Sequence, residues 1–120
     1  MKSKQFIKEC QRTKSGMRNF PDPDLVHAAM GLATESGEFL DAIKKYMFYN
    51  KPLDKTNLKE ELGDMLWYAA IAMSVLDTDF NKEMERVIGK LKLRYPEKFS
   101  EENAINRDLE SEQKYLENFK

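Results

Sequence analysis

The sequence predicts an all-α protein: an antiparallel helical bundle, completed by subunit association, in one domain over residues 1–120. Three observations carry that expectation. Apolar residues recur at helical spacing in every long segment, and no stretch keeps the period-two alternation of a strand. The segments are punctuated by Pro, Asn and Asp, which stop helices or cap them. The connections are short, so consecutive helices should return antiparallel against one another.

The first helix is expected over 3–17, with Phe6, Ile7 and Cys10 on one side. Pro21 and Pro23 break the chain there, and Asp22 or Asp24 can cap the next helix. That second helix should run from about 24 to 49, where Asn50, Lys51 and Pro52 end it. A third is expected from about 57 to 76, followed by the turn Asp77-Thr78-Asp79. A fourth should occupy about 80–95, ended by Pro96, and a last helix about 101–118, with Ser100 as its cap. From Met65 to Leu76 the third helix is apolar nearly all round, interrupted only by Ser74. A helix of that kind is buried, and one chain of this size hardly surrounds it. A homodimer, or a dimer of dimers, is therefore expected.

Composition excludes several classes. Charged residues are 34% of the chain, but the formal net charge is -1, so no nucleic-acid polymer is expected as partner. The charge is uneven. Lys2, Lys4, Lys8, Arg12, Lys14 and Arg18 face only Glu9 in residues 1–18, while 100–120 is net acidic. With Cys10 as the only cysteine, neither an internal disulfide nor a cysteine zinc site can form; Cys10 reads as a small core residue. The Met65–Leu76 stretch is too short to span a bilayer. A soluble, cytoplasmic protein is expected.

The chemistry lies in two carboxylate pairs. Glu35 and Glu38 are three residues apart on the second helix, and Glu61 and Asp64 are three apart on the third. Each pair therefore shares a helix face. Glu35 and Glu38 fall with Ala28, Gly31, Leu32, Phe39 and Ala42; Glu61 and Asp64 fall with Leu58, Met65, Tyr68 and Ala72. These acids thus project from faces that should be inside. Burying a bare carboxylate costs several kcal/mol, and four converging carboxylates also repel one another. Hard divalent cations resolve the conflict, since carboxylate oxygens are their preferred ligands. Gly31, Gly37 and Gly63 lie on or beside the same faces. A glycine inside a helix costs up to about 1 kcal/mol relative to alanine. Close helix approach, or room for ions and a ligand, is the expected return.

The run Gly31-Leu32-Ala33-Thr34-Glu35-Ser36-Gly37-Glu38, followed by Lys59-Glu60-Glu61-Leu62-Gly63-Asp64-Met65-Leu66-Trp67-Tyr68, resembles the MazG-like nucleotide pyrophosphohydrolases of the all-α NTP pyrophosphatase superfamily. Their signature is E-x-x-E, a spacer (here residues 39–60), then E-x-x-D. Further on, Lys90-Leu91-Lys92-Leu93-Arg94-Tyr95-Pro96 resembles the family's K-x-x-x-R-Y-P segment, so the likeness covers about 25–99. The resemblance implies that Glu35, Glu38, Glu61 and Asp64 bind Mg²⁺, with Mn²⁺ as a substitute, and carry catalysis. It implies that Lys90 and Arg94 bind the triphosphate and that Tyr68 lines the substrate pocket. The implied reaction is hydrolysis of a (deoxy)nucleoside triphosphate to nucleoside monophosphate and pyrophosphate, by water attacking the α-phosphorus, in nucleotide-pool house-cleaning. One departure is visible: some relatives carry a further acid where this chain has Thr34.

Other readings are weaker. A di-iron carboxylate bundle needs E-x-x-H pairs, and the lone histidine, His27, does not supply them. A non-catalytic nucleotide-sensing or helical interaction module is the main alternative, opposed by the intact set of four acids. His27, two turns before Glu35, reads as a packing or base-contacting residue. Trp67 is expected to lie away from the carboxylate face, in the core or a subunit interface.

Overall fold

The structure, a computed structural model, describes residues 1–14 and 22–120. The first helix ends at Gln11, short of the expected 17, with Arg12 and Thr13 in a turn; residues 15–17, Arg18 and Pro21 lie outside the described residues. All regular structure among the described residues is helical: α1 (Ser3–Gln11), α2 (Pro23–Phe48), α3 (Lys55–Val75), α4 (Phe80–Arg94), α5 (Glu101–Ile105) and α6 (Leu109–Asn118). These fall into two compact units, Met1–Asp79 and Phe80–Lys120.

In the first unit, α2 and α3 pack along their length and α1 lies against α3. The seam is lined by small residues: Ala28 and Gly31 on α2 and Ala70 on α3 are buried. Ile71 is the largest fully buried side chain, and Cys10 is buried as expected. Gly31 has a specific reason to be glycine, because a Cβ there would overlap the Tyr68 ring. Gly37 and Gly63 face open space instead, so close helix approach explains only the first of the three.

The helix ends follow local chemistry. Asp54 caps α3 by accepting from the Asn57 N–H at 2.9 Å. Asp22 precedes α2 but makes no side-chain cap bond and sits at φ 48°, outside the extended region usual for a cap. Asp24 does not cap either; it pairs with Lys14 at 2.6 Å. Pro23 at the start of α2 has no N–H to satisfy, which lowers the need for a cap. Beyond α2 and α3, Asn50 (φ 49°) and Asp77 (φ 52°) adopt the left-handed conformation, which Asn and Asp tolerate best among non-glycine residues. After Asp77 the Thr78 N–H reaches back to the Met73 carbonyl at 3.0 Å, closing α3 by backbone alone.

As expected, one chain does not surround the third helix. Leu62 (51% exposed) and Leu66 (50%) are open on α3, as are Leu40 and Met47 (66% each) on α2. Helices α1 and α2 cover only part of its circumference.

In the second unit α4 packs against α6. A Cβ at Gly89 would overlap the Tyr115 phenol, and Arg86 donates to the Leu116 carbonyl at 3.3 Å. The single helix expected over 101–118 is two. Ser100 caps α5 through the Asn103 N–H, as expected, but the chain leaves the helix at Asn106. Asp108 then caps α6 by accepting from the Ser111 N–H and hydroxyl. An Asp that bonds backbone two or three residues ahead favours a new start over continuation.

Two substitutions of the same kind should have opposite signs. Gly31→Ala drives a methyl into the Tyr68 ring and should destabilise by about 1–3 kcal/mol, the usual cost of overpacking. Gly37→Ala meets no neighbour and should stabilise by up to about 1 kcal/mol through helix propensity. Urea unfolding of both variants against the parent measures the difference.

Candidate active site

Helices α2 and α3 run antiparallel, so residue numbers rise on one as they fall on the other across the seam. Gly31 meets Tyr68, and a few residues on, the carboxylates of Glu35, Glu38 and Glu61 come together. One oxygen of each lies within 4.8 Å of the others. Glu61 is 5% exposed, and Glu35 is half-buried. Oε2 of each is buried without a hydrogen-bond partner. The hydrogen bond that a protonated Glu61 can share with Glu35, then burial, then the charge of Glu38 push the Glu61 carboxyl up to about 7. The group holds its charge at neutral pH only with difficulty.

Asp64 does not join this group. It is exposed, and with Glu35, Thr13, Trp67 and Tyr68 it lines a recess of about 340 Å³. Glu35 therefore belongs to both the carboxylate cluster and the recess. The position of Trp67 is a further correction. The residue follows Asp64 by three, which puts both on one face of α3, and the spacing was sufficient to find it. Its Nε1 donates to Thr13 Oγ1 at 2.9 Å, tying the turn that follows α1 to the recess. Thr13 carries no sequence signal, because only this long-range contact brings it here. His27, Trp67 and Tyr68 make a mutually edge-on aromatic group, with centroid separations of 4.9–6.3 Å. Thr34, at the position of the missing acid, donates its hydroxyl to the Gly31 carbonyl at 3.1 Å.

On the other side of the cluster lies a cleft of about 490 Å³, bordered by Glu38 and Glu61 and, further out, by Asp41, Lys45, Lys51 and Asn57. It carries both cationic and anionic groups.

Lys90 and Arg94 belong to the second unit. Lys90 is half-buried on α4. Arg94 is engaged: its guanidinium holds Glu112 of α6 through Nε at 2.7 Å and Nη2 at 3.2 Å. Arg107 binds the same carboxylate at 2.6 Å. Hydrogen bonds from Arg94 and then Arg107 hold the buried Glu112 carboxyl down at about 2.

The two antiparallel helices thus bring three carboxylates together, with a fourth acid beside an aromatic recess. The MazG nucleotide pyrophosphohydrolase domain matches residues 27–99. The chain belongs to that family. The match spans both acid pairs, the aromatic group and α4. A relative of this MazG domain is the "Gene 37 protein" of Mycobacterium phage L5, 31% identical over 74 residues, which are 58% of this chain and 65% of that protein. The chain thus spans just under two thirds of that relative's length. No solved structure matches it significantly. Among the described residues, no helix is long and apolar enough to cross a membrane.

The Glu61 carboxyl makes metal-free stability pH-dependent. Its folded value, about 7, lies above the ordinary 4.5, so the folded state binds more protons between those values. Stability should therefore fall as pH rises from about 4.5 to about 7 and level off above. Glu61→Gln should remove most of this slope and raise Tm at pH 8. Thermal melts in chelator from pH 5 to pH 8 check both outcomes; a parent whose Tm is flat or rises over that range would refute the assignment.

Proposed function

We propose that this MazG domain hydrolyses nucleoside triphosphates to nucleoside monophosphate and pyrophosphate with a divalent metal, Mg²⁺ or Mn²⁺, at Glu35, Glu38, Glu61 and Asp64. The observation that carries the proposal is the pair of buried carboxylate oxygens, Glu35 Oε2 and Glu61 Oε2, that have no partner within a cluster of three acids. Unpaired buried anionic oxygens are costly, and the arrangement fits a cation that needs several carboxylate ligands. Asp64, sharing the recess with Glu35, would complete the set from its open side.

When bound, the ion supplies charge neutralisation for phosphate oxygens and a water of lowered pKa. The residues do the remainder. Glu35, Glu38 and Glu61 fix the position of the positive charge between α2 and α3. One of them accepts the proton of the attacking water, which is directed at the α-phosphorus. Tyr68 and Trp67 border the recess beside Glu35 and Asp64; their faces suit a nucleobase, whose stacking on an aromatic ring is worth about 1–3 kcal/mol. Lys90 and Arg94 remain proposed triphosphate ligands, with the Arg94 guanidinium exchanging Glu112 for phosphate oxygens of the same bidentate geometry. Clearing unwanted nucleotides from the pool is the role that fits this reaction.

Glu38→Gln and Asp64→Asn should each lower kcat by roughly 10²–10³-fold, the loss typical of one electrostatic stabiliser, with the fold retained. Pyrophosphate release from a panel of NTPs and dNTPs with Mg²⁺ measures it. Near-parental kcat in these variants would sink the metal assignment. Orthophosphate as product would move the attack away from the α-phosphorus. Failure to cleave any nucleotide with Mg²⁺ or Mn²⁺ would favour a non-catalytic nucleotide-sensing module.

A homodimer or dimer of dimers is proposed as well, supported by the exposed Leu40, Met47, Leu62 and Leu66 on the two site-bearing helices. Light scattering at micromolar concentration should give at least twice the chain mass, and Leu66→Glu should lower it. A monomeric parent would refute the assembly.

A further inference from the structure

We infer that Lys45 and Lys51 form an anion subsite for the terminal phosphates of the substrate, and hence for the pyrophosphate leaving group, at the end of the seam opposite the aromatic recess. The inference rests on the triphosphate reading above, and it adds to that reading residues outside both acid pairs and outside the Lys90–Arg94 segment.

The antiparallel pairing of α2 and α3 lays out three zones in order. First comes the recess of Tyr68 and Trp67, which Glu35 and Asp64 border. Next is the cluster of Glu35, Glu38 and Glu61. The cleft of about 490 Å³ follows, with Glu38 and Glu61 on its border and Lys45, Lys51 and Asn57 further along. The spacing explains the continuity. Glu38, Asp41, Ala42 and Lys45 stand at i, i+3, i+4 and i+7 on one face of α2, and Asn57 and Glu61 at i and i+4 on α3. A nucleoside triphosphate has the same order: aromatic base, α-phosphate at the reacting centre, then two further phosphates. With its base in the recess and its α-phosphate at the carboxylates, its terminal phosphates have the lysine-bearing cleft ahead of them.

The cations there are available. Lys51 makes no ion pair among the described residues and is exposed. Lys45 pairs with Asp41 at 2.8 Å, but the two side chains are 58% and 45% exposed. Exposed pairs of this kind are worth little, so a polyphosphate can displace Asp41. The acids of the cleft, Glu38, Asp41, Asp54 and Glu61, outnumber its lysines. An anion would therefore enter with its divalent cation, as nucleotides and pyrophosphate do. Asn57 borders the same cleft and carries a side-chain amide, which has two donor hydrogens.

The test uses inorganic pyrophosphate with Mg²⁺, read by calorimetry and as a product inhibitor, alongside a nucleoside monophosphate. Lys51→Ala should weaken pyrophosphate binding about tenfold, the worth of one charge-assisted hydrogen bond, and leave monophosphate binding within about twofold. Lys45→Ala should do the same, and so should Lys45→Ala combined with Asp41→Ala. Tm should stay near the parent's, because both lysines are exposed. Unchanged pyrophosphate affinity in Lys51→Ala, or equal loss for pyrophosphate and monophosphate, overturns the subsite. Recovery of affinity on adding Asp41→Ala overturns the role of Lys45 and assigns its effect to an unpaired Asp41. A parent that binds pyrophosphate through these lysines but cleaves no nucleotide would keep the subsite and sink the hydrolase. A parent that cleaves nucleotides but does not bind pyrophosphate would do the reverse.

Discussion

The close approach of α2 to α3 governs the first unit. Ala28 and Ala70 leave no measurable surface at the seam, and Gly31 leaves the space that Tyr68 fills. With small residues there, acids carried a turn or two further along α2 face an acid on α3. Glu35, Glu38 and Glu61 end within 4.8 Å of one another because the backbones beneath them are close. A larger residue at 31 would part the helices and separate the carboxylates. The packing of apolar and small residues at one end of the seam therefore holds together charges that would not stay together by themselves.

That arrangement runs against stability. Acids that are buried and mutually close share a proton through hydrogen bonds, lose hydration and repel, and the rise of the Glu61 carboxyl to about 7 expresses all three effects in that order. The second unit handles a buried acid in the opposite way. Glu112 is as buried as Glu61, but two guanidinium groups surround it, and its carboxyl stays near 2. One buried carboxylate has its cations supplied by the chain and the other does not. The contrast supports the proposed metal site, in which the α2–α3 cluster takes its positive charge from outside the protein, and it sets the Arg94–Glu112 pair apart as a closed ion pair within the chain.

Much of this was legible in the sequence, and the misreadings have physical causes. Helix type and number over residues 23–94 follow from periodicity and punctuation. The acid pairs follow from i, i+3 spacing beside small and apolar neighbours. Trp67 was misplaced although the same spacing, counted from Asp64, puts it on the acid face. The break between α5 and α6 hinged on Asp108, whose capping bond competes with a continuing helix in a way that apolar periodicity does not register. Thr13 and Glu112 could not be found in advance. Each is tied to its partner by a tertiary contact, at 54 and 18 residues' separation, and no local pattern encodes that.

The antiparallel geometry also explains why charge is distributed as it is along α2. The helix carries its two motif acids in its middle and its lysines, Lys44 and Lys45, near its end. Cations in a last turn interact favourably with the negative end of the helix dipole, which alone would justify them on any helix. What differs here is the company they keep. The last turns of α2 lie beside the first turns of α3, so Lys45 shares a cleft with Asn57 and, across the loop, with Lys51. The seven steps from Glu38 to Lys45 cover about 10 Å of helix at about 1.5 Å per residue. Over that distance the lining changes from purely acidic to mixed. A ligand that is neutral and aromatic at one end and polyanionic at the other, and that brings its own divalent cation, matches this gradient. A ligand with charge at only one point would use only one of the three zones.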